Sequence, residues 1–377
     1  MVQKQLFPWL TRRRRGIGPA EKEVYGNSEN NQNLIVGINK LSLNQRPALP
    51  RGMANHQRKR LLGGLLLVTL LLPASFTLYL KYFAKGHEQT LTRPPANLAA
   101  FLRQEKTPPG YQVQTYFAGT ELEVKVHFLW GKEGGPILAI FGGIHGDEAA
   151  GYLTAERYTN LKIKKGTLII VPRLNLPAIQ RKKRHGLGGD MNRLFHLPEN
   201  QKLTPDARVV DLAKSMIKRA DYVLNLHQAD GFYSPTWISQ KRNPLKFGQC
   251  NVIDVPNFDL PNGQRLELKK FAQEVAHRAN SRIQDPHYHF LVFNTNTDNK
   301  KTHHAEQRKS LTYYALCEQH KIALGLESTK NCSLPQAVSF LTTVVNSVIE
   351  EVGIETEQLP QENPLIVTQI LRGERKL

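Results

Sequence analysis

Polar residues able to do chemistry follow three apolar runs of buried-strand type. Residues 137–141 lead into Gly142-Gly143-Ile144-His145-Gly146-Asp147-Glu148, residues 222–226 into His227, and residues 322–326 into Glu327. Ligand sites in open α/β sheets form beyond the carboxyl ends of strands, so these groups can converge. A His-x-x-Glu spacing is weak evidence alone. Chance supplies about one in a chain of this composition, and a second, His303 to Glu306, lies in a polar stretch with no strand before it. That copy reads as a solvated loop. The first copy follows a strand and two glycines that free the backbone, and it precedes a helical stretch. His145 and Glu148 can then face one point, with His227 as a third ligand. Two histidines and one carboxylate leave a coordination position open, the pattern of a catalytic rather than a structural zinc. Taken singly, His145 reads as a turn cap and His227 as a core histidine.

Positioning these groups requires alternating strands and helices. Residues 121–130 alternate like a strand, with 132–135 as the following turn, and 137–141, 167–171, 222–226 and 322–326 read as strands. Residues 149–161, 209–217, 268–279 and 311–320 read as helices. Ser333-Leu334-Pro335 opens a last amphipathic helix that runs to about Val352. The pattern predicts one α/β domain over 111–355, with a mostly parallel mixed sheet flanked by helices. Residues 356–377 are a tail without assignment.

His145-x-x-Glu148, Asp190-Met191-Asn192-Arg193, Leu226-His227 and Glu327 resemble, in order, the motif set of the zinc carboxypeptidase superfamily. That group includes digestive carboxypeptidases and small deacylases such as succinylglutamate desuccinylase and aspartoacylase. The strings FGGIHGDEAAGY, VPRLNLPA, GLGGDMNRLF, LHQADGFY and LESTK resemble more closely the bacterial peptidoglycan D,L-carboxypeptidases that trim muramyl tripeptides and help set helical cell shape. The resemblance covers roughly residues 110–350. It departs from that branch at the first ligand, where the branch carries Gln and this chain has His145. An imidazole suits zinc better than an amide does. The branch also continues into further C-terminal domains.

The resemblance implies one Zn2+ held by His145, Glu148 and His227, with Glu327 as general base. A glutamate at the end of an apolar strand is uncommon without a partner, which favours the same role. Arg184, in the run Arg181-Lys182-Lys183-Arg184-His185, is the candidate for charge developing on the scissile carbonyl, with His185 the alternative. Asn192 and Arg193 resemble the pair that holds the substrate's terminal carboxylate, a task a guanidinium fork performs bidentately. The expected partners are peptidoglycan stem peptides ending in a residue such as meso-diaminopimelate. Gly231, Phe232 and Tyr233 could shape the cleft, although aromatics after a strand more often pack.

The net charge of +19 suggests nucleic acid, but its distribution points to a membrane. Residues 1–60 hold 12 Lys and Arg against 3 Asp and Glu, about half of the excess. They read as a basic, disordered tail, with Met53 an alternative start. An uncharged run of 20 residues, 61–80, then opens at Leu61 and closes at Leu80, long enough to span a bilayer as a helix. Arg58, Lys59 and Arg60 before it keep the N-terminus in the cytoplasm. The expectation is an inner-membrane anchor over 61–82, a Pro-containing linker over 83–110 and a periplasmic catalytic domain. Cleavage near Pro73-Ala74-Ser75 is the alternative. No nucleic-acid partner is expected. Cys250, Cys317 and Cys332 exclude a disulfide-stapled scaffold and a Cys-rich zinc finger. A cytosolic-type N-acyl amino acid deacylase and a non-catalytic peptidoglycan-binding protein are the competing readings.

Overall fold

The computed structural model describes residues 110–197 and 204–375, within one compact unit, Thr92–Leu377. The basic tail, the anchor and all but the last residue of the linker lie outside the described residues. Among the described residues no helix is long and apolar enough to cross a membrane.

A nine-stranded sheet forms the centre. Its strands are β1 (Gly110–Tyr116), β2 (Val124–Trp130), β3 (Glu133–Gly142), β4 (Ile163–Val171), β5 (Tyr222–Ala229), β6 (Cys250–Ile253), β7 (Leu291–Asn294), β8 (Ile322–Thr329) and β9 (Glu355–Thr356). The order is β1-β2-β4-β3-β5-β8-β6-β7, with β9 paired to β4. The four central strands, β4, β3, β5 and β8, run parallel. The β6–β7 ladder is parallel too, while the β1–β2, β2–β4, β8–β6 and β9–β4 ladders are antiparallel, so the sheet is mixed.

Among the described residues seven α-helices accompany it: α1 (Ala149–Glu156), α2 (Leu176–Arg181), α3 (Pro205–Ile217), α4 (Leu268–Asn280), α5 (Leu311–Cys317), α6 (Leu334–Glu351) and α7 (Pro364–Leu371). One apolar core joins the sheet to α1, α4 and α6, and a second joins the other face to α3 and α5. Covered on both faces, β5 and β8 can be apolar almost throughout. Polar residues near their carboxyl ends therefore stand out.

Caps explain several boundaries. Ser333 opens α6 as the sequence predicts, in a reciprocal capping box with Gln336, and Pro205 opens α3 after Thr204. The expected turn at 132–135 is instead the start of β3, where Glu133 pairs with Lys165 and the register shifts before Ile137. The glycine pair that reads as a turn makes a bulge. Helix α1 stops at Glu156 because the amides of Arg157, Tyr158 and Thr159 fold into tight turns. The unassigned tail contains α7, capped by Asn363, with Val367 buried. All three cysteines are free.

Candidate active site

Two glycines shape the turn after β3. Gly143 has φ of +69°, a left-handed conformation that disfavours a side chain. Gly146 packs so closely on α2 that a β-carbon there would lie 2.0 Å from the Ala178 carbonyl. The turn buries Ile144 and His145 and ends with Glu148 at the N-cap position of α1, where a helix favours negative charge. Glu148 does not cap the helix with its side chain. Its Oε1 lies 2.8 Å from His145 Nδ1 and accepts from Arg184 Nη1 at 3.1 Å. Its Oε2 lies 2.8 Å from His227 Nδ1 and accepts the Gln228 amide at 3.1 Å.

The loop between α2 and α3 supplies the next layer. Buried Asp206, in the first turn of α3, accepts the Leu187 and Gly188 amides and so pins this loop. Asp190 then accepts from Asn192 N at 3.0 Å and from Arg184 Nε at 3.2 Å, and its Oδ1 lies 3.1 Å from His145 Nε2. A carboxylate on the far nitrogen of a histidine fixes the tautomer and frees the near nitrogen as a ligand. With the proton on Nε2, His145 Nδ1 and Glu148 Oε1 present lone pairs to each other at 2.8 Å, which only a positive charge between them can make favourable. His145, Glu148 and His227 offer ligand atoms that all lie within 4.8 Å of one another, and they are the one such group among the described residues. The donor set fits zinc.

The electrostatics without a cation follow from burial and proximity. Burial lowers the pKa of His145, but Glu148 and Asp190 outweigh it and leave it raised. In His227 burial prevails and the pKa is lowered. Burial raises the pKa of Glu148, yet the two histidines hold it well below the carboxylate range. Glu327, paired with His227 in the β5–β8 ladder, is pushed well above that range by burial and then by the charge of Glu148. Its Oε2 is buried without a hydrogen-bond partner.

These groups open on a cavity of about 170 Å³ that Arg184, Asn192 and Arg193 also line. Asn192 is held by the Leu311 amide, which donates to its Oδ1 at 3.0 Å. Arg193 is partly buried, and desolvation lowers its pKa. His185 does not reach the site: it is exposed and lines no part of the cavity, because the loop turns Arg184 inward onto Glu148 and Asp190. His303 and Glu306 are exposed, with Glu306 paired to Lys309 at 3.1 Å. Phe232 and Tyr233 pack against His287 and Phe293 respectively. Phe247, which the sequence reading missed, lines the cavity instead. Asp190 was missed as well, although it stands in the motif with Asn192 and Arg193.

Residues 117–371 match the family described as carboxypeptidase controlling helical cell shape, catalytic. The chain belongs to this family. Among solved structures it is similar to the cell shape determinant protein Csd4 from Helicobacter pylori. The product-bound form is 29% identical, with a TM-score of 0.58 over 63% of this chain and 56% of that one. An mDAP-bound form, described as a D,L-carboxypeptidase, gives the same values. The tripeptide-bound form is 26% identical, with a TM-score of 0.59 over 70% of this chain and 60% of that one. The chain thus spans less than two thirds of the length of these structures. No curated protein matches it.

Proposed function

We propose that this protein is a zinc carboxypeptidase that hydrolyses the terminal amide of peptidoglycan stem peptides and releases meso-diaminopimelate from the murein tripeptide. The observation that carries the reading is the convergence on one cavity of a three-ligand metal cluster, a partnerless carboxylate and an Arg–Asn pair. The tripeptide and mDAP complexes of the similar Csd4 structures support the substrate class.

Zinc bound by His145, Glu148 and His227 would supply a Lewis acid and an acidified water. The remaining roles belong to the chain. Arg193 and Asn192 hold the substrate's terminal carboxylate and set the scissile amide before Glu327. Glu327 takes a proton from the attacking water and delivers it to the departing amine, the work of a general acid–base carboxyl. Arg184 presents positive charge to the carbonyl oxygen as it becomes negative, and Asp190 and Glu148 hold the guanidinium in place.

The proposal places this domain in the periplasm, tethered to the inner membrane by residues 61–80. The uncharged run and the Arg58–Arg60 step support that placement. Incubating the zinc-loaded chain with purified murein tripeptide, with and without a chelator, tests the reaction. It requires free meso-diaminopimelate in the first sample and none in the second.

A further inference from the structure

A loop that leaves the cavity wall at Ala229 and returns to it at Phe247 holds three large apolar side chains out in water. Trp237, Ile238 and Leu245 are 63%, 64% and 71% exposed. Single exposed apolar residues are ordinary, but a group of them on one segment marks a binding surface. The loop is a built hairpin. Phe232–Tyr233 pairs with Arg242–Asn243, and Ser239 and Arg242 exchange backbone hydrogen bonds of 2.9 and 3.1 Å. Buried Asn243 donates to the Ser239 and Gln240 carbonyls and accepts the Leu245 amide. The Arg242 guanidinium lies 4.4 Å from the centre of the Phe232 ring. It also donates to the His287 carbonyl at 2.7 Å, which ties the hairpin to the body. A partner therefore meets Trp237 and its neighbours already in place, and binding loses little conformational entropy.

Charge narrows the choice of partner. Between Asp230 and Asp254 the chain carries Lys241, Arg242 and Lys246 and no acid. Arg242 is committed to the hairpin. Lys241 is exposed, and Lys246 lays its stem against Gly231, an arrangement that leaves the ammonium free to reach outward. Apolar tips that include an indole, with cations beside them, match the interfacial layer of an anionic bilayer. Indole rings settle at headgroup level, alkyl tips enter the acyl boundary and ammonium groups meet lipid phosphates. Ile238 and Leu245 offer no hydrogen bond to the hydroxyls of a glycan, whereas both gain by leaving water.

We propose that residues 237–246 form a membrane-docking hairpin. It seats Trp237, Ile238 and Leu245 in a bilayer that carries anionic lipid, with Lys241 and Lys246 on the headgroups. The assignment goes beyond the carboxypeptidase reading and does not depend on it. It gives the domain a lipid contact of its own, besides the tether proposed at residues 61–80. Leu245 stands two residues from Phe247, so the docked hairpin would bring the cavity rim to the bilayer surface.

The test reconstitutes the zinc-loaded full chain by detergent removal into vesicles of phosphatidylcholine, alone or mixed with phosphatidylglycerol. Their acyl chains are brominated to quench indole emission. The chain has three tryptophans, Trp9, Trp130 and Trp237, so the difference between the parent and Trp237→Phe isolates the signal of Trp237. That signal should be blue-shifted and quenched in the mixed vesicles. Quenching should weaken in phosphatidylcholine alone and at high salt. Lys241→Gln and Lys246→Gln together should lower the ratio of docked to free loop, read from the quenched fraction, by at least ~10-fold. Circular dichroism should be unchanged in every variant, since these side chains stand on the surface. A Trp237 signal that brominated lipid leaves unquenched overturns the docking, and so does quenching indifferent to both lipid charge and the two lysines. A signal that soluble glycan strands shift and lipid does not would assign the hairpin to the cell wall and also overturn it. None of these measurements uses turnover, so failure of the docking and failure of the carboxypeptidase reading are told apart.

Discussion

Both ring nitrogens of His145 face carboxylates, Glu148 on one side and Asp190 on the other, so the metal site depends on a residue that never touches the metal. Asp190→Asn keeps the side chain's shape but removes the charge that orients the imidazole and holds Arg184. Zinc affinity should fall about 10- to 100-fold, the range for such supporting carboxylates, with the circular dichroism spectrum unchanged. Competition with a chromophoric chelator measures it, and an unaltered affinity would remove Asp190 from the site. The ligands and Glu327 were legible in the sequence because each ends an apolar strand, where a polar group is conspicuous. Asp190 and Asn225 were not. Asp190 acts across 45 residues of chain, and Asn225, which lines the cavity with both amide atoms buried and unpartnered, is placed there only by packing.

At the scale of elements, the site is a set of strand ends held in register by turns. Gly146 is the tightest point, and Gly146→Ala would drive a β-carbon into the backbone of α2. The turn must move to relieve it, at a cost of about 1–3 kcal/mol, and His145 moves with it. Urea unfolding should show that loss together with reduced zinc content; unchanged values for both would mean that the turn does not fix the ligand. The long central strands and α3, α4 and α6 were readable from apolar runs, caps and prolines. β1, β6 and β7 were not. β1 is exposed along much of its length and carries no clear apolar alternation. β6 and β7 span four residues each, too short for periodicity to register.

Across the whole molecule, two apolar cores hold the sheet, and one buried acid beside β6 makes its stability depend on pH. Burial raises Asp254 to about 6 against the hydrogen bonds of Thr297 and Thr312. Between about pH 4 and pH 6 the folded chain then keeps a proton that the unfolded chain has lost, so stability falls as pH rises through that window and levels off above it. Asp254→Asn retains an acceptor for Thr297 and should be more stable than the parent at pH 7.5 by about 1–3 kcal/mol, with little difference at pH 4. Urea midpoints at the two pH values measure this, and an equal difference at both would assign the effect to packing. The central claim concerns chemistry, and Glu327 tests it most directly. Glu327→Gln keeps the side-chain volume, but its amide cannot take a proton at neutral pH. With zinc content and tripeptide binding retained, single-turnover release of meso-diaminopimelate from the murein tripeptide should slow at least ~100-fold. Release at the parental rate would contradict the account.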